Sequence, residues 1–175
     1  MRKIAFILGL PMLLINCSNE VESLNETNLS SANKAESQAT NKNTGIAVYR
    51  FYNGRNHFYS TNYSEGINNG YSYEGILGYS VGGGTLVRRF YYAAKNDHFY
   101  TLSNPAVDPN NPFNVNWYFA ANMFAAYDPA DPTGVRIYQY FNPSKVDHFY
   151  TNNYGELGAG GQGYNYEGVA FRLDQ

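Results

Sequence analysis

The sequence predicts an all-β domain with pseudo-threefold repetition, a β-trefoil-like closed barrel carrying no more than short helical turns. Three observations predict it. The triplet His-Phe-Tyr is written three times, as His57-Phe58-Tyr59, His98-Phe99-Tyr100 and His148-Phe149-Tyr150, and these triplets hold every histidine of the chain. An aromatic and β-branched run precedes each: Val48-Tyr49-Arg50-Phe51-Tyr52, Val87-Arg88-Arg89-Phe90-Tyr91 and Ile137-Tyr138-Gln139-Tyr140-Phe141. All 18 Tyr lie after residue 46, in short runs broken by Gly, Asn and Pro. That is how strands and their turns are spelled.

The chain in order begins with a leader. Arg2 and Lys3 precede an apolar run over residues 4–15, too short to span a bilayer. It ends in Leu14-Ile15-Asn16-Cys17, with the single cysteine of the chain at its edge. The segment resembles a bacterial lipoprotein signal, in which residues 1–16 are removed and Cys17 carries the lipid. That resemblance implies a partner, the membrane, and a location in the cell envelope, lipid-anchored, at the outer membrane on its periplasmic or surface side. Residues 17–45 hold no aromatic residue and are rich in Ser, Asn, Thr, Glu and Lys. They bury too little apolar surface to offset the entropy of ordering, so a disordered acylated tether is expected.

Residues 46–175 form the domain, with repeats at about 46–85, 86–134 and 135–175. From Val48 to Val87 is 39 residues, from Val87 to Ile137 is 50, and from Ile137 to Gln175 is 38. Three copies of about four short strands suit a closed barrel, which leaves no sticky strand edge. After each triplet comes a hydroxyl residue, Ser60, Thr101 or Thr151. Repeats one and three continue with Asn62-Tyr63-Ser64-Glu65 and Asn153-Tyr154-Gly155-Glu156, which fit a capping box opening one helical turn. Repeat two has Ala106 where the Glu would be, then a Pro- and Asn-rich loop that accounts for its extra length.

The second half of the repeat reads Tyr73-Glu74-Gly75-Ile76 in repeat one and Tyr166-Glu167-Gly168-Val169 in repeat three. In repeat two, Ala121-Asn122 aligns with Glu-Gly. Asn is the next-best residue to Gly at positive φ, so Gly75, Asn122 and Gly168 are expected to form one left-handed turn or bulge.

The pattern Asp-His-Phe-Tyr-Thr, a Glu eight residues after the His, and then Tyr-Glu-Gly-Val-Ala resembles an uncharacterised repeat domain of secreted bacterial and fungal proteins. There it stands alone or is appended to secreted hydrolases and peptidases. The resemblance spans residues 48–173. It rests on His57, Glu65 and Glu74-Gly75 in repeat one, and on His148, Glu156 and Glu167-Gly168 in repeat three. Repeat two keeps Asp97-His98-Phe99-Tyr100-Thr101. The resemblance implies an accessory, extracellular role and no established activity.

Several chemistries are weak on these residues. Gly78-Tyr79-Ser80-Val81-Gly82 matches a nucleophile elbow, but Gly83-Gly84 follows, and no helix starts on consecutive glycines. The histidines are expected to brace hairpins by hydrogen bonds to a turn carbonyl or a neighbouring Asp. A His₃ metal site is the competing arrangement, and none is expected; nor is a cofactor. The domain carries eight Lys and Arg against ten Asp and Glu, without the basic stripe that nucleic acid requires.

The expected function is a non-catalytic binding module, for glycan or another surface polymer. Tyr73 with Glu74, and Tyr166 with Glu167, are the expected binding residues, ring on sugar face and carboxylate on vicinal hydroxyls. The alternative is a structural or adhesive surface protein. A glycan hydrolase using Glu65, Glu74, Glu156 and Glu167 as acid/base pairs is a distant third.

Overall fold

The computed structural model describes residues 45–104 and 116–175. They are all-β apart from one short helix and one 3₁₀ turn. The strands are β1 (Ala47–Tyr52), β2 (His57–Ser60), β3 (Ser72–Tyr79), β4 (Thr85–Tyr92), β5 (Asp97–Thr101), β6 (Tyr118–Ala126), β7 (Val135–Asn142), β8 (Asp147–Thr151), β9 (Gly160–Gly161) and β10 (Tyr164–Leu173). The helix α1 (Tyr63–Asn68) follows β2, and the 3₁₀ turn Tyr154–Glu156 follows β8.

Each repeat makes one antiparallel sheet with its first strand in the centre. The orders are β2-β1-β3, β5-β4-β6 and β8-β7-β10-β9. The barrel expected from the sequence is therefore not closed: the described strands form three separate sheets. Single bridges, Tyr79 to Asp174 and Tyr127 to Arg172, join sheet to sheet.

The inner edges show why no barrel is needed. β2, β5 and β8 carry the triplets, and their tyrosines meet at the pseudo-threefold axis. The Tyr59 hydroxyl donates to the Tyr150 carbonyl (2.8 Å) and accepts from the Tyr150 amide (2.7 Å). Tyr100 serves the Tyr59 backbone in the same way, and Tyr150 serves that of Tyr100. Three hydroxyls thus satisfy the edge groups that another strand would otherwise pair. The three rings pack edge to face, with centroids 5.3–5.6 Å apart. Around them lies the main core of Val48, Val87, Ile137, Leu77, Phe124, Phe171 and Leu173.

Every sheet carries two bulges at matching places. In repeats one and three the upper bulge leaves Glu74 and Glu167 as extra residues, with Gly75 opposite Arg50 and Gly168 opposite Gln139. Both glycines have positive φ, 153° and 125°, as a bulge of this kind favours. Repeat two differs from the sequence alignment by one residue. Its extra residue is Ala120, Ala121 faces Arg89, and Asn122 pairs with Arg88. Asn122 is not at positive φ. The ladder there bulges around alanines, which need no left-handed backbone, and Asn122 stands where Ile76 and Val169 stand in the other sheets.

The caps form, but not the reciprocal half of the capping box. Asn62 accepts from the Ser64 amide and Asn153 from the Gly155 amide. Glu65 and Glu156 turn instead to the hydroxyls of Ser60 and Thr151. Both ends of the domain meet at one place: Ile46 and Ser80 exchange hydrogen bonds, and so do Tyr79 and Asp174.

Candidate functional site

Adjacent sheets leave grooves between them, and His57 and His98 line two of those grooves. His57 stacks on Tyr52 of its own sheet (4.5 Å) and packs against Phe149 of repeat three (4.6 Å). His98 stacks on Tyr91 and packs against Phe58 of repeat one. His148 packs on Phe141 and against Phe99 of repeat two. Each imidazole thus sits across a repeat boundary.

The partner is not the neighbouring Asp in sequence but an Asp from the adjacent repeat. Asp147 binds the His57 ring Nδ1 and its amide, both at 2.7 Å. Asp97 binds the His148 ring at 2.7 Å and its amide at 3.0 Å. Both aspartates are fully buried. Such a carboxylate must be held by donors, and Asp147 gains a third from the Tyr164 hydroxyl. Through these bonds His57 and His148 each join two repeats. A His₃ centre would need three imidazoles on one point; here the tyrosines occupy the axis instead.

The third clamp is missing. The residue before His57 is Asn56, where the other repeats have Asp97 and Asp147. Asn56 is buried and donates to the Val146 carbonyl, while its own Oδ1 and the His98 Nδ1 are buried without partners. Burial first, and then the nearby Arg89, lower the His98 pKa to about 3.

A second clamp repeats around the molecule. Arg50 over Phe149 and Arg89 over Phe58 are equivalent cation–π contacts. Arg50 Nη1 binds Glu156 at 3.1 Å and Arg89 Nη1 binds Glu65 at 2.9 Å. Arg50 also uses its Nε, on Glu74 at 3.1 Å. The third equivalent is Gln139, which donates to Glu167 at 2.7 Å. In sequence the counterpart of Glu65 and Glu156 in repeat two is Ala106, which lies outside the described residues.

The expected binding residues are brought to the surface but not to one site in each repeat. Tyr73 is exposed and joins Tyr49 and Tyr63 over Phe51. Glu74 lies among Arg50, His57 and Glu156, lining a groove that Tyr73 does not touch. Repeat three matches: Tyr166 joins Tyr138 and Tyr154 over Tyr140, while Glu167 turns to Gln139. Adjacent residues on an extended strand face opposite sides, so a ring and its neighbouring carboxylate do not grip one sugar.

Two features were not anticipated from the sequence. One is the tyrosine trio, whose members Tyr49, Tyr63 and Tyr73 come from three separate elements. With Arg136 and Val169, the trio of repeat three lines a concavity of about 340 Å³. The other is the groove between repeats one and two, also about 340 Å³, lined by Phe58, Glu65, Tyr71, Arg89, His98 and Ala120 among others.

Residues 16–106 and again 86–175 match a family described as a domain of unknown function, DUF5648. The chain belongs to this family. Each match is longer than one repeat, and both include the β4–β5 hairpin, the second all of it but Thr85. No curated protein and no solved structure matches the chain.

The serine of the elbow-like motif has a plain role in this DUF5648 domain. Ser80 follows β3, its hydroxyl oxygen accepts from the Ile46 amide, and a turn follows it. Cys17 and the leader lie outside the described residues, among which no helix is long and apolar enough to cross a membrane.

Proposed function

We propose that this protein is a cell-envelope lipoprotein, held by a lipid on Cys17, whose three-repeat domain is a non-catalytic binding module for glycan or another surface polymer. The observation that carries the reading is the gathering of exposed tyrosines. Tyr63 and Tyr73 are 45% and 43% exposed, and Tyr154 and Tyr166 are 41% and 36% exposed. They stand in trios on repeats one and three, at equivalent places on one scaffold. Large rings that remain exposed while neighbouring rings are buried mark a contact surface. A tyrosine ring packs on the apolar face of a sugar, and its hydroxyl bonds the edge.

Two weak sites on a rigid body gain by avidity on a polymer. Repeat two has Arg88 and Phe119 at the places of Tyr49 and Tyr73, so it offers no third trio. The test is retention of the full chain on insoluble glycans and cell-wall material. Changing Tyr63, Tyr73, Tyr154 and Tyr166 together to Ala is expected to abolish retention while the far-ultraviolet signal of the fold stays. Retention equal to wild type, or none by the wild type, supports the structural or adhesive reading instead.

A further inference from the structure

The groove between repeats one and two is the sister of the groove between repeats three and one, with one carboxylate subtracted. In the sister, the Glu74 carboxylate sits between Arg50 Nε, at 3.1 Å, and His57 Nε2, at 3.8 Å. The walls correspond, His98 to His57, Phe58 to Phe149, Glu65 to Glu156, Tyr71 to Tyr164 and Tyr91 to Tyr52, and Arg89 lies over Phe58 as Arg50 lies over Phe149. The bulge residue that supplies Glu74 in repeat one is Ala120 in repeat two. Ala120 lines the groove but reaches no cation.

The subtraction leaves a mark. Arg89 Nε, the counterpart of the Arg50 Nε that binds Glu74, is buried and without a hydrogen-bond partner. Unpaired buried donors are rare and cost free energy. In repeat three the Arg itself is replaced: Gln139 stands at the place of Arg50 and Arg89 and donates to Glu167. Here the Arg is kept, bound on one side by Glu65 and bare on the other.

We propose that this groove takes the carboxylate of an acidic sugar residue, seated between Arg89 and His98 where Glu74 sits in the sister groove. The inference deepens the glycan reading and rests on it, but uses a different surface from the tyrosine trios. A cavity of about 340 Å³ admits one pyranose ring. Phe58 and Tyr71 offer faces for it. Asn69 and Asn96 offer amides for its hydroxyls; Asn96 already links the hydroxyls of Tyr71 and Tyr91. A carboxylate on the guanidinium edge is the pairing that arginine geometry favours.

The experiment is calorimetric titration of the full chain in detergent with D-glucuronate, with D-glucose and acetate as counterparts. Glucuronate is expected to bind, glucose and acetate at least tenfold more weakly. Ala120→Glu supplies the missing carboxylate from within; it should weaken glucuronate binding at least tenfold and raise the melting temperature. Should that variant misfold, Arg89→Gln gives the same readout, since Gln139 already occupies the equivalent place. Glucuronate binding that both variants leave unchanged, acetate binding as tight as glucuronate, or no glucuronate binding at all overturns the inference. Retention on polymer through the tyrosine trios is read separately, so the wider glycan reading survives or fails by its own assay.

Discussion

The hydroxyl of Tyr59 donates to the carbonyl of Tyr150 and accepts from its amide, at 2.8 and 2.7 Å, although the two residues are 91 positions apart. Tyrosine here does the work of a strand edge. One side chain closes both polar groups of a backbone unit in another repeat, and three such closures return to their starting point. Burial pushes all three phenols above their usual pKa, so they stay protonated and able to donate.

Replacing any one of these tyrosines by Phe keeps the ring and removes the closure. Tyr59→Phe leaves the amide and carbonyl of Tyr150 buried and unpaired. Each unpaired group costs about 1–3 kcal/mol. Urea unfolding should show Tyr59→Phe, Tyr100→Phe and Tyr150→Phe destabilised by similar amounts. A variant as stable as wild type would mean that water enters the axis and replaces the hydroxyl.

Asn56→Asp should install the absent third clamp. In the native protein His98 has its pKa lowered to about 3 from 6.5. Between those values the unfolded chain holds a proton that the folded chain does not. The stability contributed by neutral His98 is therefore present above about pH 6.5 and is lost as pH falls toward 3. A carboxylate at position 56 should raise the His98 pKa, as seen by NMR titration, and shrink the loss of stability between pH 7 and pH 5. An unmoved His98 resonance would show that Asn56 is not its partner position.

Cys17→Ala should release the protein from the membrane fraction into the soluble one, and mass spectrometry of the wild-type amino terminus should find an acylated Cys17. A wild-type chain that is soluble and begins elsewhere would remove the anchor from the proposal.

The repeat was legible because three copies of one triplet cannot be hidden by drift elsewhere, and the aromatic runs that predicted β1, β4 and β7 bury matching pairs, Val48 and Phe51, Val87 and Phe90, Ile137 and Tyr140. The sheets were legible, but not their separation. Strand spelling is the same whether an inner edge pairs with a strand or with a hydroxyl, and nothing in Tyr59 announces a partner 91 residues away. The clamps were half legible. An Asn or Asp before each histidine was visible, but an adjacent residue is the natural first partner, and the crossing to another repeat is a property of closure. The bulge in repeat two was misplaced by one residue because Ala120 and Ala121 are alike to an aligner and differ only in the ladder.

The two ends of the domain are pinned to the neighbouring residues Tyr79 and Ser80, Ile46 on one and Asp174 on the other. The circle of repeats has a seam rather than a front and a back, and the seam lies between the first and last sheets. Joining residue 175 to residue 45 with a short glycine linker and reopening the chain in the glycine turn at residues 82–84 should give a protein with the same three sheets in a new order of synthesis. The same seam sets a direction of display: the domain's backbone enters at Ile46 and leaves at Asp174 on one edge, so a partner fused to either end would be carried from that edge.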